Sequence, residues 1–303
     1  MKVKELINLL LMIFSLIVIG LIMKKTGIIG KTGQKNITDL VVNLILPCNI
    51  IKSFMVEFSM DIARNFAGIL LISVLIQVAS VLLGKVLFVK TSEERQKCLK
   101  YGIICSNAGF MGNPIAEGVF GSMGLTLASI YLIPQRIMMW SEGIAIFTEA
   151  PSKKELTKKV ITHPCIIACG IGIVLMLTGW TPPVFVNEVI TSVSNCNTAM
   201  SMMVIGMILA DADPRTLVDK DIIFYTVLRL AVMPFLVWIP CQLLGVDSLV
   251  KGVSVLLAAM PAGATTSILA SKYDGDAEFA VKLVVFSTAA SLISTPLWSM
   301  ILL

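Results

Sequence analysis

With 303 residues, of which 56% are hydrophobic and 14% charged, and a mean hydropathy of +0.90, the chain has too little charge to cover a soluble protein of its size. The formal net charge of +5 would suggest nucleic acid in a soluble chain. Here the basic residues fall in short loops between apolar runs, so no nucleic-acid partner is expected.

Apolar runs predict helices near 5–23, 37–56, 64–89, 99–120, 122–147, 160–180, 185–210, 221–244, 248–270 and 278–301. Each is long enough for a hydrocarbon layer of about 30 Å. The first is too long for a signal-peptide core and lacks a small-residue cleavage site, so it reads as a spanning helix. Gly30-Lys31-Thr32 lacks the upstream glycines of a phosphate loop and reads as an ordinary loop. In the second run Pro47 bends the helix and Asn43, four residues earlier, shares its face, a candidate for the substrate pathway.

The fourth run is interrupted at its centre by Asn107-Ala108-Gly109-Phe110-Met111-Gly112-Asn113-Pro114. Proline removes a donor, and Gly109 and Gly112 permit close backbone approach. Asn107 and Asn113 supply donors and acceptors. A helix broken at membrane depth is tolerated only where its unpaired backbone lines a cavity or binds something. Glu117 follows the break. The fifth run holds Arg136, a candidate counter-charge for a carboxylate, and Glu142. Glu117 and Glu142 are candidates for carrying a proton, or for pairing with Arg136.

His163-Pro164 opens the sixth run and reads as interfacial. In the seventh, Ala199, Gly206 and Ala210 form a small-residue face suited to lining a static wall or meeting a second subunit. Arg229 lies inside the eighth run, to snorkel, to brace the second break or to couple charge. That break is Pro261-Ala262-Gly263-Ala264-Thr265-Thr266-Ser267 in the ninth run, with Thr265 among its hydroxyls. The single histidine and the seven cysteines without paired spacing leave little for a metal site, and the cysteines read as free buried thiols.

The expected architecture is therefore an all-α membrane protein of ten transmembrane helices. They form two inverted five-helix repeats, residues 1–150 and 156–303, with broken crossover helices 4 and 9. Fifteen basic residues, Arg215 among them, lie in the loops after odd-numbered runs, against five, Lys2 among them, in the even loops and tails. That bias puts both termini outside.

The interrupted fourth run, with Phe120-Gly121 after it, resembles the auxin efflux carrier family in its short bacterial form. So do Leu44-Ile45-Leu46-Pro47, Ser201-Met202-Met203-Val204-Ile205-Gly206 with Leu209, Arg229-Leu230-Ala231-Val232-Met233-Pro234, and Ala259-Met260-Pro261-Ala262-Gly263. The order and spacing of these strings carry the likeness, over essentially the whole chain. The resemblance implies a fold shared with bile acid and sodium–proton carriers. Helices 1, 2, 6 and 7 would be a scaffold that often dimerises, and helices 3–5 and 8–10 a transport domain moving like an elevator. Asn107, Asn113, Pro114 and Pro261 would lie at the crossover. Bacterial members are described as malate or malonate carriers, and plant members export auxin, a carboxylate. Unlike the plant carriers, this chain joins its halves by a short linker, residues 148–159.

The function expected is a secondary transporter of small organic anions in the plasma (inner) membrane. Asn107, Asn113 and the unwound backbone at Gly109, Gly112, Pro261 and Gly263 would hold the carboxylate. No cofactor is expected, and Na⁺ or H⁺ are the coupling ions left open. The alternatives are a membrane channel or a ligand sensor of the same fold. An enzyme is disfavoured, because no serine, cysteine or aspartate has an evident base partner.

Overall fold

The computed structural model describes residues 3–56, 58–147, 152–210, 217–273 and 275–302, and its regular elements are helices. In chain order they are α1 (Val3–Lys25), α2 (Lys31–Leu40), α3 (Leu46–Ser53), α4 (Met60–Leu87), α5 (Glu93–Ile104), α6 (Asn113–Trp140), α7 (Glu142–Ala145) and α8 (Lys153–Ile161). Then follow α9 (Pro164–Thr178), α10 (Val184–Asn195), α11 (Asn197–Ala210), α12 (Lys220–Val227), α13 (Met233–Leu243), α14 (Ser248–Ala258), α15 (Thr265–Lys272) and α16 (Ala277–Leu302). Lys31, expected in a loop, opens α2 instead, with Gly30 at its N-cap. Lys2 and Arg215 of the loop-charge argument, and residue 150 at the expected repeat boundary, lie outside the described residues.

Among the described residues three π-helical turns punctuate the chain, at Val41–Ile45, Ala108–Gly112 and Leu228–Val232. Each is followed by a proline at the second position of the next helix: Pro47, Pro114 and Pro234. The residue four before each proline is Asn43, Phe110 or Leu230, the centre of its π turn. A proline cannot donate to that carbonyl and its ring crowds it, and one wider turn removes the clash. The carbonyl freed at Leu230 is taken by the Trp298 indole Nε1, which donates to it at 2.8 Å.

The helix lengths overturn the expectation of ten spans in two inverted five-helix repeats. Among the described residues six helices are long and apolar enough to cross a membrane: Ile7–Lys25, Met60–Leu87, Ala108–Ala145, Val184–Ala210, Lys220–Leu243 and Ala277–Leu302. The run at 37–56 is divided into helices of 10 and 8 residues, the first of them polar. The run at 248–270 gives α14 and α15, of 11 and 8 residues. The run at 160–180 yields the 15-residue α9, and the fourth run splits after α5. A membrane-crossing helix needs about 20 residues, and these pieces fall short of it. The remainder of the fourth run continues into the fifth as Ala108–Ala145, bent at Gly121, whose φ of 70° only glycine adopts easily. The protein is an all-α, multi-pass membrane protein with about six long spanning helices.

At the centre lies α14, buried on every side from Val253 through Ala258, as an apolar helix without a polar face must be. It packs on α4, α6, α13 and α16. Gly206, from the small-residue face of α11, packs against α1. A Cβ on Gly206 would collide with the Ile17 carbonyl, so this glycine is what lets α1 and α11 run in direct backbone contact. Side-chain caps fix several helix starts: Ser59 accepts from Ile62 N, Asp219 from Asp221 N, and Asp247 from Leu249 N and Val250 N.

Candidate functional site: a crossover of two unwound segments

The C-terminal ends of α5 and α14 meet head to head. Between α5 and the π turn before α6 the backbone unwinds through Cys105, Ser106 and Asn107. Between α14 and α15 it unwinds through Pro261, Ala262 and Gly263. The two stretches run antiparallel as one isolated bridge, Ser106 opposite Ala262. Asn107 N donates to the Pro261 carbonyl at 2.8 Å, and Gly263 N donates to the Cys105 carbonyl at 3.0 Å. A Cβ on Gly263 would lie 2.9 Å from the Cys105 oxygen and 3.3 Å from that of Ser106, so only glycine allows this approach.

Side chains from four directions satisfy the loosened backbone. Arg229, 2% exposed, donates from Nε to the Met260 carbonyl at 3.0 Å and from Nη1 to the Ile103 carbonyl at 3.2 Å. Both acceptors belong to the carbonyl ends of broken helices, where a cation offsets the negative end of each dipole. Gln135 donates from Nε2 to the Ser106 carbonyl at 2.8 Å and accepts from Ser106 Oγ at 3.1 Å. Tyr225 Oη donates to the Gly102 carbonyl at 2.8 Å, and Ala262 N donates to Ser287 Oγ at 3.2 Å.

A cavity of about 220 Å³ opens beside the bridge. Asn107, Gly109, Gly263 and Thr265 line it from the unwound segments, and Gln135, Arg136 and Trp140 from α6. Arg136 is only 7% exposed, and its Nη1 has no hydrogen-bond partner, nor has the indole Nε1 of Trp140. Among the described residues neither Glu117 nor Glu142 pairs with Arg136. Lys159 stands 5.6 Å from the centroid of the Trp140 ring. His163, expected at the interface, lines the same cavity and caps α9, its Nδ1 accepting from Cys165 N at 3.2 Å. Two buried donors without acceptors, one of them a fixed cation, suit an anion.

The other sequence candidates fall elsewhere. Asn43 is exposed, and its Nδ2 donates to the Asp39 carbonyl at 2.8 Å. Gly112 is not a cavity wall: a Cβ there would meet Leu257 Cδ2 at 2.5 Å, so it seats the π turn against α14. Pro114 and Asn113 open α6, and Asn113 is wholly buried with both amide atoms unpaired. Glu142 begins the short α7. Glu117 ends a chain of donors. Ser201 Oγ gives to Asn197 Oδ1 at 3.2 Å and Asn197 Nδ2 to Asn49 Oδ1 at 3.0 Å. Asn49 Nδ2 then gives to Glu117 Oε2 at 3.3 Å and to Ser194 Oγ at 3.0 Å.

Sequence reasoning missed Gln135, Trp140, Tyr225, Ser287 and Asn49 as participants. Gln135 was legible as a polar neighbour of Arg136 in an apolar helix. Nothing local marked Tyr225 or Ser287, because their roles depend on what crosses in front of them. Among the described residues no group of three or more His, Cys, Asp or Glu could hold a metal.

Long apolar helices around a buried crossover mark a membrane protein, with a cavity beside the crossover. The comparison of sequences agrees: the profile of the membrane transport protein family matches residues 6–299, and the chain belongs to that family. It is a transporter rather than an enzyme. An uncharacterized transporter of Methanothermobacter thermautotrophicus is 26% identical over 298 residues, 96% of this chain and 97% of that protein. Another, of Methanocaldococcus jannaschii, is 24% identical over 305 residues, 98% of each. At the level of the family, the likeness to auxin efflux carriers holds.

Proposed function

We propose that the protein carries small organic anions, carboxylates such as malate or malonate, across the plasma membrane as a secondary transporter. The observation that carries this reading is the pair of unpartnered buried donors, Arg136 Nη1 and Trp140 Nε1, on the wall of the crossover cavity. A carboxylate bound in this cavity would give such donors an acceptor, and a charge-assisted bond to a guanidinium is the strong kind. Asn107, Thr265 and the amides at the start of α15 complete the polar lining, the positive end of that half-helix facing the anion. Release to the other side is by alternating access of elevator type. Arg229, Gln135, Tyr225 and Ser287 tie both unwound segments to α6, α12, α16 and the π turn before α13, so that the crossover moves as one body with its cargo.

Uptake of radiolabelled malate into liposomes tests the reading, under imposed Na⁺, proton or potential gradients. Saturable uptake is expected, and the gradient that drives it names the coupling. Arg136→Gln is expected to weaken apparent affinity about 10- to 100-fold, the value of a buried charge-assisted bond. Undiminished uptake by that variant sinks the assignment of the site. Flux that does not saturate would make the protein a channel, and binding without flux a sensor.

A further inference from the structure

A second cavity, of about 420 Å³, lies next to the crossover cavity, between α2 on one side and α15 and α16 on the other. The two share a wall residue, Ala264, the N-cap of α15. On the α2 side Lys31, Gln34, Lys35 and Thr38 recur at intervals of three and four, one face of the helix. Lys31 and Lys35 are exposed, and neither makes an ion pair among the described residues. The first turn of α2 has no acidic residue, and its N-cap Gly30 supplies no side-chain acceptor. The N-cap of α15 likewise has no side-chain bond to the helix amides. Positive or partial positive charge therefore stands in three places around the two cavities: the lysine face, the N-terminal end of α15, and Arg136.

We propose that this second cavity is the mouth of the carrier site, a basic vestibule in which Lys31 and Lys35 collect the anionic cargo and pass it over Ala264 to the crossover. The proposal rests on the anion reading given above. The two lysines do not hold the bound substrate. They raise its local concentration at a low-dielectric opening, so they act on capture and not on the saturated rate. Ala264, the one lining residue the two cavities have in common, is small, and a bulky side chain there would fill the space between them.

The test is malate uptake into proteoliposomes as a function of ionic strength, for the unaltered protein, Lys31→Gln/Lys35→Gln and Lys31→Glu/Lys35→Glu. The neutral pair is expected to lose about tenfold in kcat/KM at low ionic strength with kcat unchanged, and to converge on the unaltered protein as salt screens the field. The acidic pair is expected to lose more and to reverse the sign of the salt dependence. Ala264→Phe, with its folding verified by thermal unfolding, is expected to abolish uptake. Lysine variants with unaltered kcat/KM and salt dependence, beside an Arg136→Gln variant that has lost uptake, overturn the vestibule and leave the carrier site standing. Full uptake by Arg136→Gln, or no saturable anion uptake by the unaltered protein, overturns the site and the vestibule together. Lysines that merely mark the membrane side on which α2 lies would give the first of these overturning results.

Discussion

Removing the guanidinium of Arg229 would strand two carbonyls at once, those of Met260 and Ile103, at 0–2% exposure. Each buried acceptor left unpaired costs about 1–3 kcal/mol. Arg229→Met is therefore expected to lower stability in detergent by about 2 kcal/mol or more, read as a fall in Tm. Arg229→Lys should recover only part of it, since an ammonium lacks the rigid fork that spans two acceptors; an unchanged Tm in the methionine variant would show that the brace carries no weight. Gly263→Ala places a methyl against the Cys105 and Ser106 carbonyls, backbone atoms that cannot yield like a side-chain tip. A loss of about 1–3 kcal/mol and reduced transport are expected. At this scale the sequence announced which residues were unusual but not what each does. Sequence already set Arg136 apart as a candidate counter-charge and Arg229 as a candidate brace of the second break, without naming the groups they would meet. The packing supplies those groups: Arg229 meets two carbonyls, and Arg136 lines the crossover cavity.

Among elements, the breaks were legible and their form was not. Proline and glycine strings at 107–114 and 261–267 located both unwound segments, because a missing donor and a missing Cβ are local facts. The π turn four residues ahead of Pro47, Pro114 and Pro234 follows the same local logic. It divides the run at 37–56, while Ala108–Ala145 and Lys220–Leu243 pass through theirs; the other lost spans are a short α9 and the breaks that separate α5 from α6 and α14 from α15. What satisfies each widened turn is a matter of tertiary structure. Trp298→Phe keeps the edge contact with Phe235, whose ring centroid lies 4.8 Å away, but deprives the Leu230 carbonyl of its donor. A fall of about 1 kcal/mol with uptake retained is the expected outcome. Loss of uptake at full stability would instead place the π turn before α13 in the transport cycle.

Over the whole molecule, apolar composition and loop charge sufficed to place the chain in a membrane. The pairings that close its ends come from far apart in sequence. Arg95 reaches Asp219 at 3.1 Å and Asp276 at 3.3 Å, drawing the starts of α5, α12 and α16 to one end, and its guanidinium stands 4.8 Å from the Phe279 ring centroid. The three ionic side chains are about one-third exposed, so solvent weakens the pairs. Arg95→Gln is expected to cost about 0.5 kcal/mol at low salt and less as ionic strength rises. A cost of several kcal/mol, insensitive to salt, would mean that this cluster holds the helices together instead of trimming their ends. No reading of one segment could have supplied these partners, which are separated by 124 and 181 positions.

The bridge at the crossover is a sheet that cannot grow. Beyond the Ser106–Ala262 pair, the next rung on one side would need an N–H from Pro261, which has none. On the other side the Cys105 N–H is already given to the Tyr101 carbonyl, 2.8 Å away. The Gly263 and Asn107 carbonyls are likewise engaged, by Thr266 N on one side and by Met111 N and Gly112 N on the other. Slippage by one residue would thus find no complementary groups, which fixes the register without length. Arg229, bonded to Met260 on one side and Ile103 on the other, holds the same two segments against tilting. The joint is a clasp: too short to be a sheet, yet fixed in register and angle.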